Sequence, residues 1–140
     1  MQKILLLVCI GVLGQHCSWA MSDHVPESAC KSMFPAGHEV DPLTTEPPYS
    51  LTVPAGDIPT GSEINVVLAG LDPTIMFKGF FVKGFDDSTG TPVGSFVQAP
   101  KTIDCEGPAS GAHHASPAPK ESVVLTWKSP SNYTGTVHFM

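Results

Sequence analysis

The residues best suited to chemistry are two adjacent histidines, His113 and His114, which follow the acidic residues Asp104 and Glu106. Imidazole and carboxylate groups are common ligands of zinc and copper. Adjacent side chains on an extended segment point to opposite faces, however, so both rings rarely reach one ion. We therefore interpret the pair as part of a solvated loop or as one partly buried histidine, and we expect no metal site.

Sequence patterns of common enzyme classes are absent. There is no Gly-x-Ser-x-Gly nucleophile turn, no His-Glu-x-x-His zinc motif and no glycine-rich loop of the kind that binds phosphate. We expect neither catalysis nor a cofactor.

The first 20 residues have the features of a secretory signal. Lys3 gives a basic start, Ile4 to Leu13 form an apolar run, and Ser18-Trp19-Ala20 is a small-x-small cleavage site. The alternative, a membrane anchor, is disfavoured because the run is shorter than the roughly 20 residues that span a bilayer. We expect a secreted, extracellular protein with one mature domain, residues 21–140, and no integral membrane segment.

The cysteines indicate one disulfide. Cys9 and Cys17 would leave with the signal, so Cys30 and Cys105 remain as the possible pair in an oxidising compartment. The alternative is two free thiols. It is disfavoured because exposed thiols rarely persist outside the cell.

Charge excludes some partners. All seven basic residues are lysines. The part of the chain beyond residue 20 contains six lysines and all 13 acidic residues, which gives it a net charge of −7. This balance argues against nucleic-acid binding and against a polybasic membrane anchor. It also opposes long-range attraction to anionic bacterial envelopes. Any binding there would use short-range contacts, for which the turn 86–90 and the loop at 113–114 are candidates.

One modification site is predicted. Asn132-Tyr133-Thr134 matches the acceptor pattern for N-glycosylation, and Pro130 and Asn132 predict an exposed turn there. We therefore expect Asn132 to be glycosylated.

The elements that must position these residues are short strands. All 14 prolines lie beyond residue 20, where they interrupt long helices. No helix is predicted, and residues 21–48 and 101–119 are interpreted as irregular. Period-two alternation or continuous apolar character predicts strands in six ranges: 49–53, 62–69, 75–85, 92–98, 121–128 and 136–140.

The predicted core follows from these strands. Val123, Leu125 and Trp127 share one face of their strand, so Trp127 is expected to be buried. The phenylalanines of 77–85 are interpreted mainly as core. Six or seven short strands without helical crossovers predict a two-sheet antiparallel sandwich. An antibody-type domain is disfavoured because Trp127 follows both cysteines.

The order of motifs resembles the reeler domain family over essentially the whole mature chain. The motifs that carry the resemblance are Ala29-Cys30, Met33-x-Pro35-x-x-His38, Pro48-Tyr49, Phe77-Lys-Gly-Phe80, Pro92-Val-Gly-Ser-Phe96, Cys105, His114, Trp127-x-x-Pro130 and Val137-x-Phe139. The resemblance implies an immunoglobulin-like β-sandwich. Family members continue beyond the position of Met140, so the last strand is expected to be short or truncated.

The resemblance implies a recognition domain without catalytic activity. One signal followed by one domain is most similar to the stand-alone secreted defence proteins of invertebrates, so we expect an innate-immunity protein that binds a glycan or lipid of bacterial surfaces. Two alternatives stay open. One is an extracellular matrix or adhesion module, and the other is the outer domain of a ferric-chelate reductase-like protein.

Overall fold

The computed structural model describes residues 23–34, 41 and 43–140. The expected signal, residues 1–20, and the family-pattern residues Pro35 and His38 lie outside this part of the chain. The described elements are one short helix and eight strands: α1 (Ala29–Ser32), β1 (Tyr49–Thr52), β2 (Glu63–Gly70), β3 (Phe81–Asp86), β4 (Ser95–Gln98), β5 (Lys101–Ile103), β6 (Gly111–His113), β7 (Ser122–Lys128) and β8 (Val137–Phe139).

The strands form two antiparallel sheets of four. Their orders are β1-β2-β7-β4 and β5-β6-β3-β8. The longest ladder joins β2 to β7, with a register from Glu63 opposite Lys128 to Ala69 opposite Ser122. This architecture confirms the predicted all-β antiparallel sandwich.

The core lies between the sheets and follows the alternation of the strands. Side chains of one strand face alternate sides of the sheet, so every second residue of β2 and β7 points inward. Trp127 is 2% exposed, which confirms that it is a core residue. The buried cluster consists of Ile64, Val66, Phe77, Phe80, Val82, Phe96, Ala112, Leu125 and Trp127.

The predicted strand over 75–85 is too long. Phe77 forms a bridge with Lys120 just before β7, whereas Phe81 pairs with His113 in the second sheet. The segment between them changes partners and leaves regular pairing. The backbone of this segment lies close to the His114 ring at Gly79. A Cβ there would lie 3.2 Å from the ring, so the absence of a side chain permits this close approach.

Two segments predicted as irregular contain regular structure. Residues 101–119 include β5 and β6, which pair with each other. Residues 21–48 include α1, a single turn that ends at Met33 in the left-handed conformation. Elements of three or four residues are too short to show a hydrophobic period. Within the described ranges, no helix has the length and apolar character needed to cross a membrane.

Candidate functional site

A groove of about 610 Å³ lies between the first sheet and the edge strand β8. Its walls come from the loop after β1, residues 53–60, and from residues 133–139, which lead into β8 and form it. Trp127 and Ser129 close it at the end of β7. Two parts of the chain that are distant in sequence, residues 53–64 and 127–139, therefore meet here because β2 and β7 are neighbours.

Trp127 forms part of the groove floor. Its indole Nε1 donates a hydrogen bond to the Val93 carbonyl oxygen at 3.2 Å, and its ring meets Phe139 edge-to-face at 5.3 Å between centroids. Gly94 leaves room for the indole, since a Cβ there would lie 2.1 Å from Trp127 Cζ2. Close packing thus fixes the floor and leaves little of the indole open to a ligand.

Tyr133 forms a wall that is fixed by Asp86. The Tyr133 hydroxyl donates to Asp86 Oδ2 at 2.5 Å. The other oxygen, Oδ1, accepts from the Ser88 nitrogen and hydroxyl at 3.0 and 2.6 Å and from those of Thr89 at 2.8 and 2.9 Å. These bonds, above all that from the Ser88 hydroxyl, hold the pKa of Asp86 well below its usual range.

The same contact acts on the phenol. Desolvation first, and the hydrogen bond to Asp86 second, raise the pKa of Tyr133 to about 12. Tyr133 is therefore a neutral hydrogen-bond donor across the physiological range. The predicted contact turn 86–90 is thus a support of the groove wall, with its carboxylate already occupied.

The rim of the groove is polar. Thr60, Thr134 and Thr136 are exposed, and Asp57 is an exposed carboxylate. By contrast, Ile58 and Val137 are half-buried, and Ile64 is buried. Hydroxyl groups at the opening and aliphatic side chains below can hold an amphiphilic molecule.

Cys30 and Cys105 form a disulfide with 5.4 Å between their Cα atoms. It joins α1 to the loop after β5. Beneath it lies Lys83 of β3, whose side chain is 0% exposed. Its ammonium donates to the Cys30 carbonyl at 2.8 Å and to Glu106 Oε2 at 2.6 Å. Partners on both sides of the disulfide thus satisfy a buried charge.

The two adjacent histidines are both buried, which corrects the prediction of a solvated loop and removes them as surface contacts. His113 Nδ1 donates to the His114 carbonyl at 2.8 Å, and burial is the main cause that lowers the pKa of His113. His114 Nδ1 lies 3.2 Å from the Phe80 nitrogen and 3.1 Å from its oxygen, so its role follows its tautomer. The His114 ring therefore supports the segment that leads into β3.

The acidic residues near the histidines have other partners. Asp104 accepts from the Ala109 nitrogen at 2.8 Å, and Glu106 binds Lys83. No group of three or more histidine, cysteine or acidic side chains in the described segments is placed to hold a metal ion. Asn132 is exposed in a turn next to Tyr133, at the edge of the groove.

Sequence reasoning missed the groove and the buried lysine. Lys83 stands between apolar neighbours in Phe81–Phe85, and that setting was its only signal. The groove had none, because its residues become neighbours only through strand pairing.

Comparison with insect proteins shows similarity along most of the chain. "Putative defense protein Hdd11" of Hyphantria cunea is 30% identical over 132 residues, covering 88% of this chain and 78% of that protein. "Putative defense protein" of Bombyx mori is 31% identical over 134 residues, with 91% and 78% covered. "Putative ferric-chelate reductase 1 homolog" of Drosophila melanogaster is 28% identical over 122 residues, but these are only 19% of its length.

Solved structures share the fold. A domain described as "The crystal structure of Reelin-N domain of F-spondin" superposes with a TM-score of 0.54 at 22% identity, covering 69% of this chain and 73% of that domain. A human F-spondin reeler domain gives a TM-score of 0.53 at 20% identity, with 66% and 75% covered. Residues 28–140 match the profile of the Reeler domain. The chain therefore belongs to the reeler domain family.

Proposed function

We propose that this protein is a secreted recognition protein of innate immunity that binds a glycan or lipid of bacterial surfaces, without catalytic activity. The observation that carries the proposal is the similarity to insect proteins named as defence proteins, which extends over 78% of their length in two cases. The matching part of the reductase homolog is only 19% of that protein, so the similarity supports a reductase-like role much less.

The groove supplies a place for such recognition. Its volume of about 610 Å³ lies within the roughly 300 to 1,000 Å³ typical of small-molecule sites. Such sites combine an apolar lining with a few polar groups that orient the ligand. Aliphatic side chains below and threonine hydroxyls at the rim fit that description.

Four of the six lysines beyond residue 20 have local partners, which supports recognition through short-range contacts. Lys83 is buried against Glu106, and Lys120 donates to three backbone carbonyls at 2.6 to 2.9 Å. Lys128 Nζ lies 3.8 Å from Glu63 Oε1, and Lys101 Nζ lies 3.9 Å from Asp23 Oδ2. Lysines with local partners contribute little to a basic surface that would attract an anionic envelope.

An extracellular location is part of the proposal. The disulfide is of the kind that persists in oxidising compartments. Asn132 has the exposed turn setting that N-glycosylation requires, and we include a glycan there. Expression through a eukaryotic secretory pathway, followed by intact-mass measurement before and after glycosidase treatment, defines the form used for binding.

The test is co-sedimentation of the secreted protein with whole bacteria, in competition with purified lipopolysaccharide or peptidoglycan. Raising salt from about 0.05 to about 0.5 M shortens the screening length roughly threefold. Binding should stay the same or increase slightly, because screening weakens repulsion by a chain of net charge −7. A steep loss with salt would contradict the short-range contacts, and no sedimentation at either salt concentration would overturn the proposed function.

A further inference from the structure

We propose that the groove binds one acyl chain of a lipid whose head group is uncharged and carries hydroxyl groups. This inference names the ligand class of the site used in the proposed function, and it rests on that function for the microbial source of the lipid. The observations that carry it are the depth order of the lining, the packing of the aromatic rings and the charge at the rim.

Depth separates most apolar from most polar side chains of the lining, with the buried Ser129 and the 40% exposed Val53 as exceptions. Ile64 is buried, and Ile58, Val137 and Phe139 are half-buried, so aliphatic and aromatic carbon lies inside. The threonines of the lining are all exposed at the opening. An acyl chain gains free energy by contact with the buried apolar side chains. It offers no hydrogen-bond partner to the threonines. Its hydroxyl-bearing head would lie at the rim, where threonine hydroxyls can bond to it.

The rings favour a chain over a sugar. A sugar ring packs its apolar face on an open, flat aromatic surface. Trp127 is only 2% exposed, and its plane is perpendicular to that of Phe139 at an angle of 90°. The two rings therefore present no shared platform. The Tyr133 hydroxyl already donates to Asp86, which leaves its proton unavailable to a sugar.

Charge selects the head group. The charged side chain of the lining is the carboxylate of Asp57, at the rim. No lysine lines the groove among the residues that the structure describes. A fatty-acid carboxylate or a phosphate at the rim would meet a like charge without a compensating cation. An ester- or amide-linked chain on a neutral, hydroxyl-bearing head meets no such repulsion.

The test uses the full secreted chain and four probes below their critical micelle concentrations, measured by isothermal titration calorimetry. Dodecyl maltoside should bind, and decyl maltoside should bind roughly tenfold more weakly, because each buried methylene changes affinity up to about fourfold. Maltose alone should show no binding. Dodecanoate should bind more weakly than dodecyl maltoside, and Asp57→Asn should narrow that difference.

Two matched variants locate the site. Val53→Asp places a carboxylate in the apolar lining at a side chain that is 40% exposed, and it should weaken dodecyl maltoside binding at least tenfold. Leu71→Asp makes the same kind of change at a 67% exposed side chain outside the lining, and it should leave affinity unchanged. The Asp57→Asn comparison keeps the inference falsifiable if Val53→Asp fails to fold.

Several results would overturn the acyl-chain site. Equal affinity for maltose and dodecyl maltoside would make it a sugar site, and equal losses in Val53→Asp and Leu71→Asp would make detergent binding nonspecific. Bacterial binding without binding of any alkyl probe would remove the inference and leave the proposed function. Binding of alkyl probes without binding of bacteria would overturn the proposed function and leave the acyl-chain site.

Discussion

Asp86 uses both carboxylate oxygens and connects a turn to a wall of the groove. One oxygen accepts from Ser88 and Thr89 within its own turn, and the other accepts from Tyr133, which lies 47 residues further along the chain. Such bonds favour the charged carboxylate in the folded state, so the pKa of Asp86 lies below its unfolded value. Its contribution to stability is therefore present above pH about 4 and is lost as pH falls below that value.

We predict that Asp86→Asn makes the protein less sensitive to acid. The difference in melting temperature between pH about 5 and pH about 2 should be smaller in this variant than in the wild type, because the amide takes up no proton. Asp87→Asn is the control, since the side-chain hydrogen bond of Asp87 among the described residues is that with His138, outside the network of Asp86. The difference in melting temperature between the two pH values should stay as in the wild type in this control. An unchanged difference in Asp86→Asn would show that the hydrogen bonds of Asp86 do not contribute to the pH dependence of stability.

At the scale of the elements, the segment that leads into β4 is fitted to Trp127. Gly94 has φ +74°, and a Cβ there would collide with the indole. Gly90 has a similar φ of +67° but nothing within 4 Å of a Cβ. The two positions thus share a backbone requirement and differ in packing.

We predict that Gly94→Ala destabilises the protein more than Gly90→Ala does. The left-handed conformation should cost either variant about 1 kcal/mol. Displacing Trp127 should add roughly 1 to 3 kcal/mol in Gly94→Ala, as overpacking typically does. Urea unfolding monitored by circular dichroism measures both. Equal free energies of unfolding would mean that the indole moves aside without loss.

Sequence patterns predict elements when a strand is long enough to alternate. β2 and β7 extend over eight and seven residues, so both are predicted as strands, and the inward face of β7, including Trp127, is predicted correctly. β5 and β6 have three residues each, too few to show alternation, and Gly-Ala-His of β6 has no β-propensity either. The buried state of Lys83 depends on coverage by α1, which a local pattern cannot encode. The groove depends likewise on pairing between distant strands.

At the scale of the whole molecule, the disulfide ties α1 to the sandwich across 75 residues. The chain-entropy model gives about 4 to 5 kcal/mol for a loop of this length, as an upper figure. We predict that Cys105→Ala lowers the free energy of unfolding by a large part of this amount and reduces secretion. Cys30→Ala and the double variant should lose the same amount, because all three lack one bond. Additive losses would point to separate packing effects instead.

The pairing of β2 with β7 also sets an order of events during synthesis. Gly70 ends β2 and Ser122 begins β7, so a ribosome that adds 5 to 20 residues per second needs roughly 3 to 10 s between them. During this delay β2 can pair only with β1, and its other edge and its apolar face have no partner. Cys30 waits in the same way for Cys105. β2 therefore keeps an apolar face exposed until the carboxyl-terminal half of the chain is made, and transiently exposed surface of this kind is prone to aggregation.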